Sequence, residues 1–258
     1  MDMKYYEQLL RMEVFNLAEV EQLTGSIASA KNLLDRYVKK GFVKKVRRNL
    51  YYCVNLENKN STANRFVIGS NINNTTFISH HSAFEYYGLA HQTFYELNIS
   101  SEKLFRNFDF EGITYKYARS HFEQGVMTPE TNSKIRVTNL ERTVIDCIQN
   151  IKLSGGTEEL FQCLDSVLIL NNDRLFEYLI LYDIKFLYQK AGYIFEKYQK
   201  NFNVKDEIIK SCQQQVSNSI RYLDEDAREG NGLLIKKWNL IVPKNIEKDS
   251  KQGAVEFV

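Results

Sequence analysis

Residues 16–54, which read NLAEVEQLTGSIASAKNLLDRYVKKGFVKKVRRNLYYCV, decide the fold of the first part of this chain. At the start of this stretch, Asn16 and Glu19 have the spacing of a helix capping box. Gly25 and Ser26 then separate two runs in which apolar residues recur at helical spacing, and serine is a favoured N-cap. Two helices joined by a short turn that contains glycine predict a helix-turn-helix unit.

Two strand-like runs, Phe42–Val46 and Leu50–Val54, follow the second of these helices directly. The short turn between them ends in Asn49, a residue type that accepts the positive φ of a tight hairpin turn. A hairpin placed immediately after a helix-turn-helix unit is typical of the wing of a winged helix. We therefore predict a winged helix-turn-helix, DNA-binding domain over residues 1–56.

The distribution of charge supports this prediction. The chain has 34 Lys and Arg against 32 Asp and Glu, a formal net charge of +2, but residues 31–48 contain eight basic residues and one acid. Such a one-sided block favours an anionic partner. The second helix of a helix-turn-helix enters the major groove, and wing cations contact phosphates or the minor groove. The candidate DNA-binding residues are Ser26, Ser29, Lys31, Asn32 and Arg36 on the helix and Lys44, Lys45, Arg47 and Arg48 on the hairpin.

The remainder of the chain predicts a linker and a larger second domain. Residues 57–64 are polar, and residues 65–258 mix strand-like and helical patterns. A strand-rich block covers Phe94–Ser100, Leu104–Phe108 and Ile113–Arg119, and helical patterns follow it. The predicted fold class is α+β, with an N-terminal winged helix and a larger mixed α+β domain.

The sequence has no residue set typical of a catalytic, metal or cofactor site. The adjacent His80 and His81 cannot both bind one metal from a regular element, and no phosphate-loop, dinucleotide or common hydrolase motif occurs. We expect these histidines to cap the following helix or to form hydrogen bonds in the core. No stretch is apolar enough to span a membrane, no signal sequence begins the chain, and the four cysteines lie far apart among apolar neighbours. We therefore expect a cytoplasmic protein with reduced thiols.

Two other functions remain open at this point. A metal-dependent nuclease would place acidic residues on adjacent strands of the strand-rich block. The acid-x-Lys patterns, however, fall at Glu57–Lys59 and Asp183–Lys185, outside the predicted strands, and Asp109 and Glu111 flank a turn. A protein-interaction module whose basic hairpin binds an acidic partner is the other alternative.

The order of motifs resembles the AbiEi family, the antitoxins of abortive-infection toxin–antitoxin systems directed against phage. Beside the basic N-terminal region, three segments carry the resemblance: Ile78–Leu89 (ISHHSAFEYYGL), Asn139–Cys147 (NLERTVIDC) and Lys237–Pro243 (KWNLIVP). Together they cover nearly the whole chain. In the hairpin, Asn49 stands where glycine is common in the family.

The resemblance implies a transcriptional repressor that binds repeats of double-stranded DNA in its own promoter. It also implies an antitoxin that counteracts a co-encoded nucleotidyltransferase-like toxin through its second domain, with or without direct contact. On this interpretation Glu141, Arg142 and Asp146 are helix-start and internal ion-pair residues, and none of them is catalytic.

Overall fold

The computed structural model describes residues 4–56, 63–230 and 232–246, which form helices and mixed sheets of an α+β fold. The chain divides into two compact units. Unit 1 comprises residues 1–78, 95–121 and 127–137, and unit 2 comprises residues 79–94, 122–126 and 138–258. This division does not follow the linker predicted at residues 57–64, because most of the strand-rich block belongs to the same unit as the amino-terminal elements. Residues 57–62 of that linker lie outside the described residues.

The amino-terminal segment, residues 4–56, contains three helices and a small antiparallel sheet. Its elements are α1 (Tyr6–Met12), β1 (Val14–Phe15), α2 (Leu17–Thr24), α3 (Ile27–Lys39), β2 (Val43–Arg47) and β3 (Leu50–Cys53). The sheet has the order β1-β3-β2, and apolar side chains of the helices and strands form a common core that includes Leu34, Tyr37 and Phe42. The segment therefore has the element order that the sequence predicted: helix, tight turn, helix, hairpin.

Local signals in the sequence account for the ends of these elements. Asn16 and Glu19 form the predicted capping box at the start of α2. Gly25 ends that helix with a φ of +82°, a conformation that costs glycine little, and Ser26 accepts a hydrogen bond as the N-cap of α3. Asn49 has the positive φ expected for the turn between β2 and β3. These four predictions are confirmed.

The rest of unit 1 is built on a mixed sheet. Its elements are α4 (Arg65–Ser70), β4 (Phe77–Ile78), β5 (Glu96–Ser101), β6 (Phe108–Phe110) and β7 (Ile113–Arg119), and the sheet also includes β8 (Val126–Met127) and β9 (Val137–Thr138). The strand order is β6-β7-β5-β4-β9-β8, and β5 and β7 are parallel neighbours. The prediction of a strand over Leu104–Phe108 is wrong. The strand is instead Phe108–Phe110, and Glu111 and Gly112, both with positive φ, form the tight turn that pairs it with β7.

Unit 2 is mainly helical. Its elements are α5 (His80–Tyr87), α6 (Leu140–Gln149), α7 (Thr157–Asp165), α8 (Asn172–Tyr182), α9 (Lys185–Lys197), α10 (Gln199–Phe202), α11 (Asp206–Gln214), β10 (Arg221–Tyr222), α12 (Glu225–Glu229), β11 (Leu233–Ile235) and β12 (Leu240–Val242). Short 3₁₀ turns occur at Ile151–Ser154 and Lys236–Trp238, and the three strands have the order β10-β12-β11. The helices surround a core in which Trp238 is fully buried.

A buried ion pair stabilises the start of α6. Arg142 Nε lies 2.5 Å from Asp146 Oδ1, one helical turn along, and the Tyr182 hydroxyl donates to the same carboxylate oxygen. The Arg142 guanidinium also lies over the ring of Phe122. Glu141 instead accepts a hydrogen bond from the backbone N–H of Asn171. The predicted ion pair between Arg142 and Asp146 is confirmed.

Among the described helices, none combines the length and the apolar character that crossing a membrane requires.

Candidate nucleic-acid interface

Helix α3 separates a buried face from an exposed polar face. Ala30, Leu33, Leu34 and Tyr37 are buried because their spacing places them on the side of the helix that packs on the core. The exposed side carries four of the predicted DNA-binding residues: Ser29, Lys31, Asn32 and Arg36. Asp35 is the one acidic side chain within α3.

The two serines at the start of α3 act as capping groups. Ser26 Oγ accepts a hydrogen bond from the backbone N–H of Ser29 at 3.2 Å and donates one to Ser29 Oγ at 2.9 Å. Both side chains therefore stabilise the helix start, where serine is favoured. Their position at the N-terminus of α3 matches the prediction, and Lys31 and Asn32 follow on the exposed surface.

The hairpin of β2 and β3 presents its cations in two different ways. Lys45 and Arg48 are exposed, and neither forms an ion pair within the described residues. Lys44 and Arg47 instead contact the β6–β7 hairpin, which belongs to the same compact unit. The four cations predicted to act together thus divide into two that form no ion pair within the described residues and two that already have intramolecular partners.

Lys44 is held by the turn of the β6–β7 hairpin. Its Nζ lies 2.6 Å from Glu111 Oε1, and the Tyr52 hydroxyl donates to the same oxygen at 2.7 Å. The hydrogen bond to Glu111 raises the pKa of Lys44. Burial raises the pKa of Glu111, but the hydrogen bonds from Lys44 and Tyr52 outweigh it, so the pKa of Glu111 lies below its ordinary value. The Glu111 side chain is therefore an ionised carboxylate in neutral solution.

Arg47 packs on aromatic rings. Its guanidinium carbon lies 4.8 Å from the ring centroid of Phe108 and 5.8 Å from that of Phe105. The side chain is half-buried, its Nη1 atom is buried without a hydrogen-bond partner within the described residues, and desolvation lowers the pKa of the guanidinium. An arginine remains charged under such conditions, so Arg47 forms a cation–π contact of the kind that favours arginine over lysine.

Sequence reasoning missed Glu111 as the partner of Lys44. Glu111 has a φ of +48°, a conformation that favours glycine, asparagine or aspartate at this turn position. The Glu-Gly dipeptide between two strand-like runs was a signal for a turn, but nothing local indicated which cation the glutamate would contact. The two residues are 67 positions apart.

The acidic residues that the nuclease alternative would require have other contacts. Asp109 accepts a hydrogen bond from the Thr114 hydroxyl within the β6–β7 hairpin, and Glu111 binds Lys44 and Tyr52. Asp183 is the left-handed C-cap residue of α8. Glu57 lies outside the described residues. No observation on the described acids favours a nuclease.

No protein-family model and no curated protein sequence matches this chain. Its fold is similar to that of the RV2827C protein from Mycobacterium tuberculosis, known from a crystal structure, with a TM-score of 0.65 and 11% sequence identity. The superposition covers 96% of this chain and 93% of that one. At this identity the similarity concerns the fold alone, and it supports the assignment of the whole chain to an α+β architecture.

Proposed function

We propose that the amino-terminal segment binds double-stranded DNA as a winged helix. The observation that carries the proposal is the exposed polar and cationic surface of α3 and the adjacent hairpin, which we call the basic surface. It consists of Lys31, Asn32, Arg36, Lys45 and Arg48, all exposed in one compact segment. Exposed cations on a recognition-type helix and on a hairpin are the electrostatic footprint of a DNA-binding protein.

In this proposal the start of α3 enters the major groove. Asn32 is suited to pair with the N6 and N7 atoms of adenine, and Lys31 or Arg36 with guanine. Lys45 and Arg48 on the hairpin contact phosphates or the adjacent minor groove, which positions the protein on the duplex without reading its sequence. Lys44 can contact a phosphate only after its ion pair with Glu111 is broken.

We further propose, on the resemblance to the AbiEi family, that the chain is a repressor and antitoxin. It would bind repeats in its own promoter and counteract a co-encoded nucleotidyltransferase-like toxin through unit 2. The proposal needs no catalytic residue, metal or cofactor, and it places the protein in the cytoplasm, where its DNA would be found. The four cysteines are buried thiols, as expected of a protein whose thiols are reduced.

The first experiment measures the salt dependence of DNA binding. Fluorescence anisotropy would follow a labelled duplex from the region upstream of the gene at several salt concentrations. The K45A/R48A variant should bind all sequences more weakly and should lower the slope of log K against log salt by about 2, because each phosphate contact contributes about 0.9. The matched control is K200A/K210A, which removes two exposed cations of unit 2. Equal slopes for both variants would refute the proposed role of the hairpin.

A second experiment separates sequence readout from charge. The N32A variant should lose about 1–3 kcal/mol of binding free energy on the promoter duplex and little on a scrambled duplex of equal length. An equal loss on both duplexes would show that Asn32 does not read bases.

The antitoxin role is tested by co-expression with the nucleotidyltransferase-like reading frame, where one adjoins this gene. Wild-type protein should restore growth, and K45A/R48A should restore it equally, since the proposal assigns toxin neutralisation to unit 2. The nuclease alternative is tested separately with the purified protein. Cleavage of labelled DNA that depends on Mg²⁺ or Mn²⁺ would favour the nuclease over the repressor.

A further inference from the structure

A cluster of potential metal ligands lies buried in unit 2, remote in sequence from the basic surface. His81 and Glu85 are one turn apart on α5, and Glu159 and Cys163 are one turn apart on α7. The exposed fraction of the side chain is 1% for His81, 4% for Glu85 and 1% for Glu159, and Cys163 is fully buried. The i, i+4 spacing places each pair on a single helix face.

The donor atoms lie close enough together to surround one small cation. His81 Nε2 lies 2.9 Å from Glu159 Oε1, and Cys163 Sγ lies 3.3 Å from the same oxygen. One ligand atom from each of the three residues lies within 4.8 Å of the other two. Zinc binds nitrogen and oxygen at about 2.0–2.2 Å and sulfur at about 2.3 Å in a tetrahedron, which separates neighbouring ligands by roughly 3.3–3.8 Å. Side-chain adjustments of up to about 1 Å would therefore accommodate the ion.

Glu159 provides an independent indication of a missing partner. Its Oε1 atom accepts hydrogen bonds from the backbone N–H groups of His91 and Gln92 at 3.0 and 2.9 Å. Its Oε2 atom is buried and has no hydrogen-bond partner within the described residues. A buried carboxylate oxygen without a partner is costly. A cation bound by both oxygens of this carboxylate would satisfy Oε2 while Oε1 keeps its backbone contacts.

The carboxylate of Glu85 lies near the second ring nitrogen of His81, Nδ1. Glu85 Oε1 lies 3.8 Å from His81 Nδ1 and accepts a hydrogen bond from the backbone N–H of Phe94 at 3.0 Å. A metal-binding histidine commonly directs its second ring nitrogen at a carboxylate, which fixes the orientation of the ring. His81 thus directs Nε2 at the other two potential ligands and Nδ1 at a carboxylate that could orient the ring.

We propose that His81, Glu159 and Cys163 bind a divalent cation of the zinc class, with Glu85 orienting His81. The imidazole, carboxylate and thiolate donors suit such a borderline ion better than Mg²⁺ or Ca²⁺, which prefer oxygen. Binding would displace one proton from the Cys163 thiol to solvent, so the thiolate becomes the ligand. The ion would connect α5 and α7 and the backbone at His91 and Gln92. This inference is independent of the DNA-binding proposal.

The test uses the purified full-length chain loaded with Co²⁺ or Zn²⁺ and then desalted. We expect about one metal ion per chain by elemental analysis. We also expect a near-ultraviolet sulfur-to-cobalt charge-transfer band. C163S should lose the charge-transfer band, and C212S, which changes another fully buried cysteine of unit 2, should keep it.

Glu85→Gln gives a graded readout in case C163S does not fold. Removing the supporting carboxylate should weaken metal binding about 10–100-fold, as at other sites with such a partner. Three results would each overturn the proposal: no retained metal, retained metal without a thiolate band, or a band that survives in folded C163S. The first of these would identify the cluster as a hydrogen-bonded core network only.

Discussion

The contact between Lys44 and Glu111 makes a sharp prediction about DNA binding. In the free protein the Glu111 carboxylate holds a cation that the proposed interface would direct to phosphate. DNA must therefore break this pair before Lys44 binds the duplex. The E111Q variant removes the charge and keeps a side chain of the same size, so it should bind DNA more tightly than the wild-type protein.

The size of the expected gain in DNA affinity follows from the solvent exposure of the Lys44–Glu111 pair. The side chains of Lys44 and Glu111 are 54% and 44% exposed, so the pair contributes about 0.2–1 kcal/mol. Because DNA binding to E111Q does not have to break this pair, the Kd of E111Q for DNA should be about 1.5- to 5-fold lower than that of the wild type. One additional phosphate contact should also steepen the slope of log K against log salt by about 0.9. The free energy of unfolding should fall by about 1 kcal/mol, since Tyr52 loses a charged acceptor.

Anisotropy titrations on one duplex at several salt concentrations measure both quantities, and urea denaturation measures the stability. The matched control is D109N. Asp109 is exposed on the same hairpin and accepts a hydrogen bond from Thr114, but no ion pair joins it to a cation within the described residues. D109N removes the same formal charge without releasing Lys44, so its salt slope should equal that of the wild type.

Two results would refute this reasoning. Equal gains for D109N and E111Q would show that only the overall charge matters. Weaker binding by E111Q would show that Glu111 positions the hairpin for DNA and does not compete with it.

Three further predictions concern stability, each measured by urea denaturation. D146A should lose about 3–5 kcal/mol because the buried Arg142 is left without its carboxylate, and a loss below about 1 kcal/mol would contradict the ion-pair assignment. Burial lowers the pKa of Lys190 from 10.5 to about 8, which costs the charged side chain roughly 3 kcal/mol at neutral pH. K190M should therefore be more stable by about 2 kcal/mol, since it also loses a hydrogen bond of about 1 kcal/mol to the Gln149 carbonyl. That advantage should shrink as the pH rises from 8 to 10.5, because the unfolded wild-type chain then binds the extra proton; a constant difference would argue against a charged Lys190. Finally, N49G should be more stable than N49A by about 1 kcal/mol, since both lose the hydrogen bond from the Leu17 N–H but only glycine suits the positive φ, and the reverse order would exclude this account.

The predictability of the amino-terminal segment reflects the short range of its signals. The capping box of Asn16 and Glu19 joins atoms three residues apart, and the hydroxyl of Ser26 bonds the backbone of Ser29. Such contacts form in the same way whatever surrounds them, so the order of helix, turn, helix and hairpin followed from the sequence. The exposed positions of Lys31 and Asn32 followed equally from helical periodicity.

The division into compact units could not be predicted in this way. A polar linker at residues 57–64 suggested a domain boundary, yet the β6–β7 hairpin shares a compact unit with the amino-terminal segment. The reason is specific packing. The Arg47 guanidinium lies over the rings of Phe105 and Phe108, and the ring of Phe110 packs edge-on against that of Tyr52. Aromatic residues in a strand-rich stretch give no sign of which distant surface they will cover.

The sequence by itself determined the α+β class, the amino-terminal helices and hairpin, and the concentration of cations within them, because these depend on residue type and on spacings of a few positions. Only the tertiary structure decided which of those cations have partners within the chain. Lys44 meets a carboxylate 67 residues away, and His81 meets Glu159 across 78 residues. Contacts of this range depend on how the chain folds back on itself, and local secondary-structure propensity does not specify this.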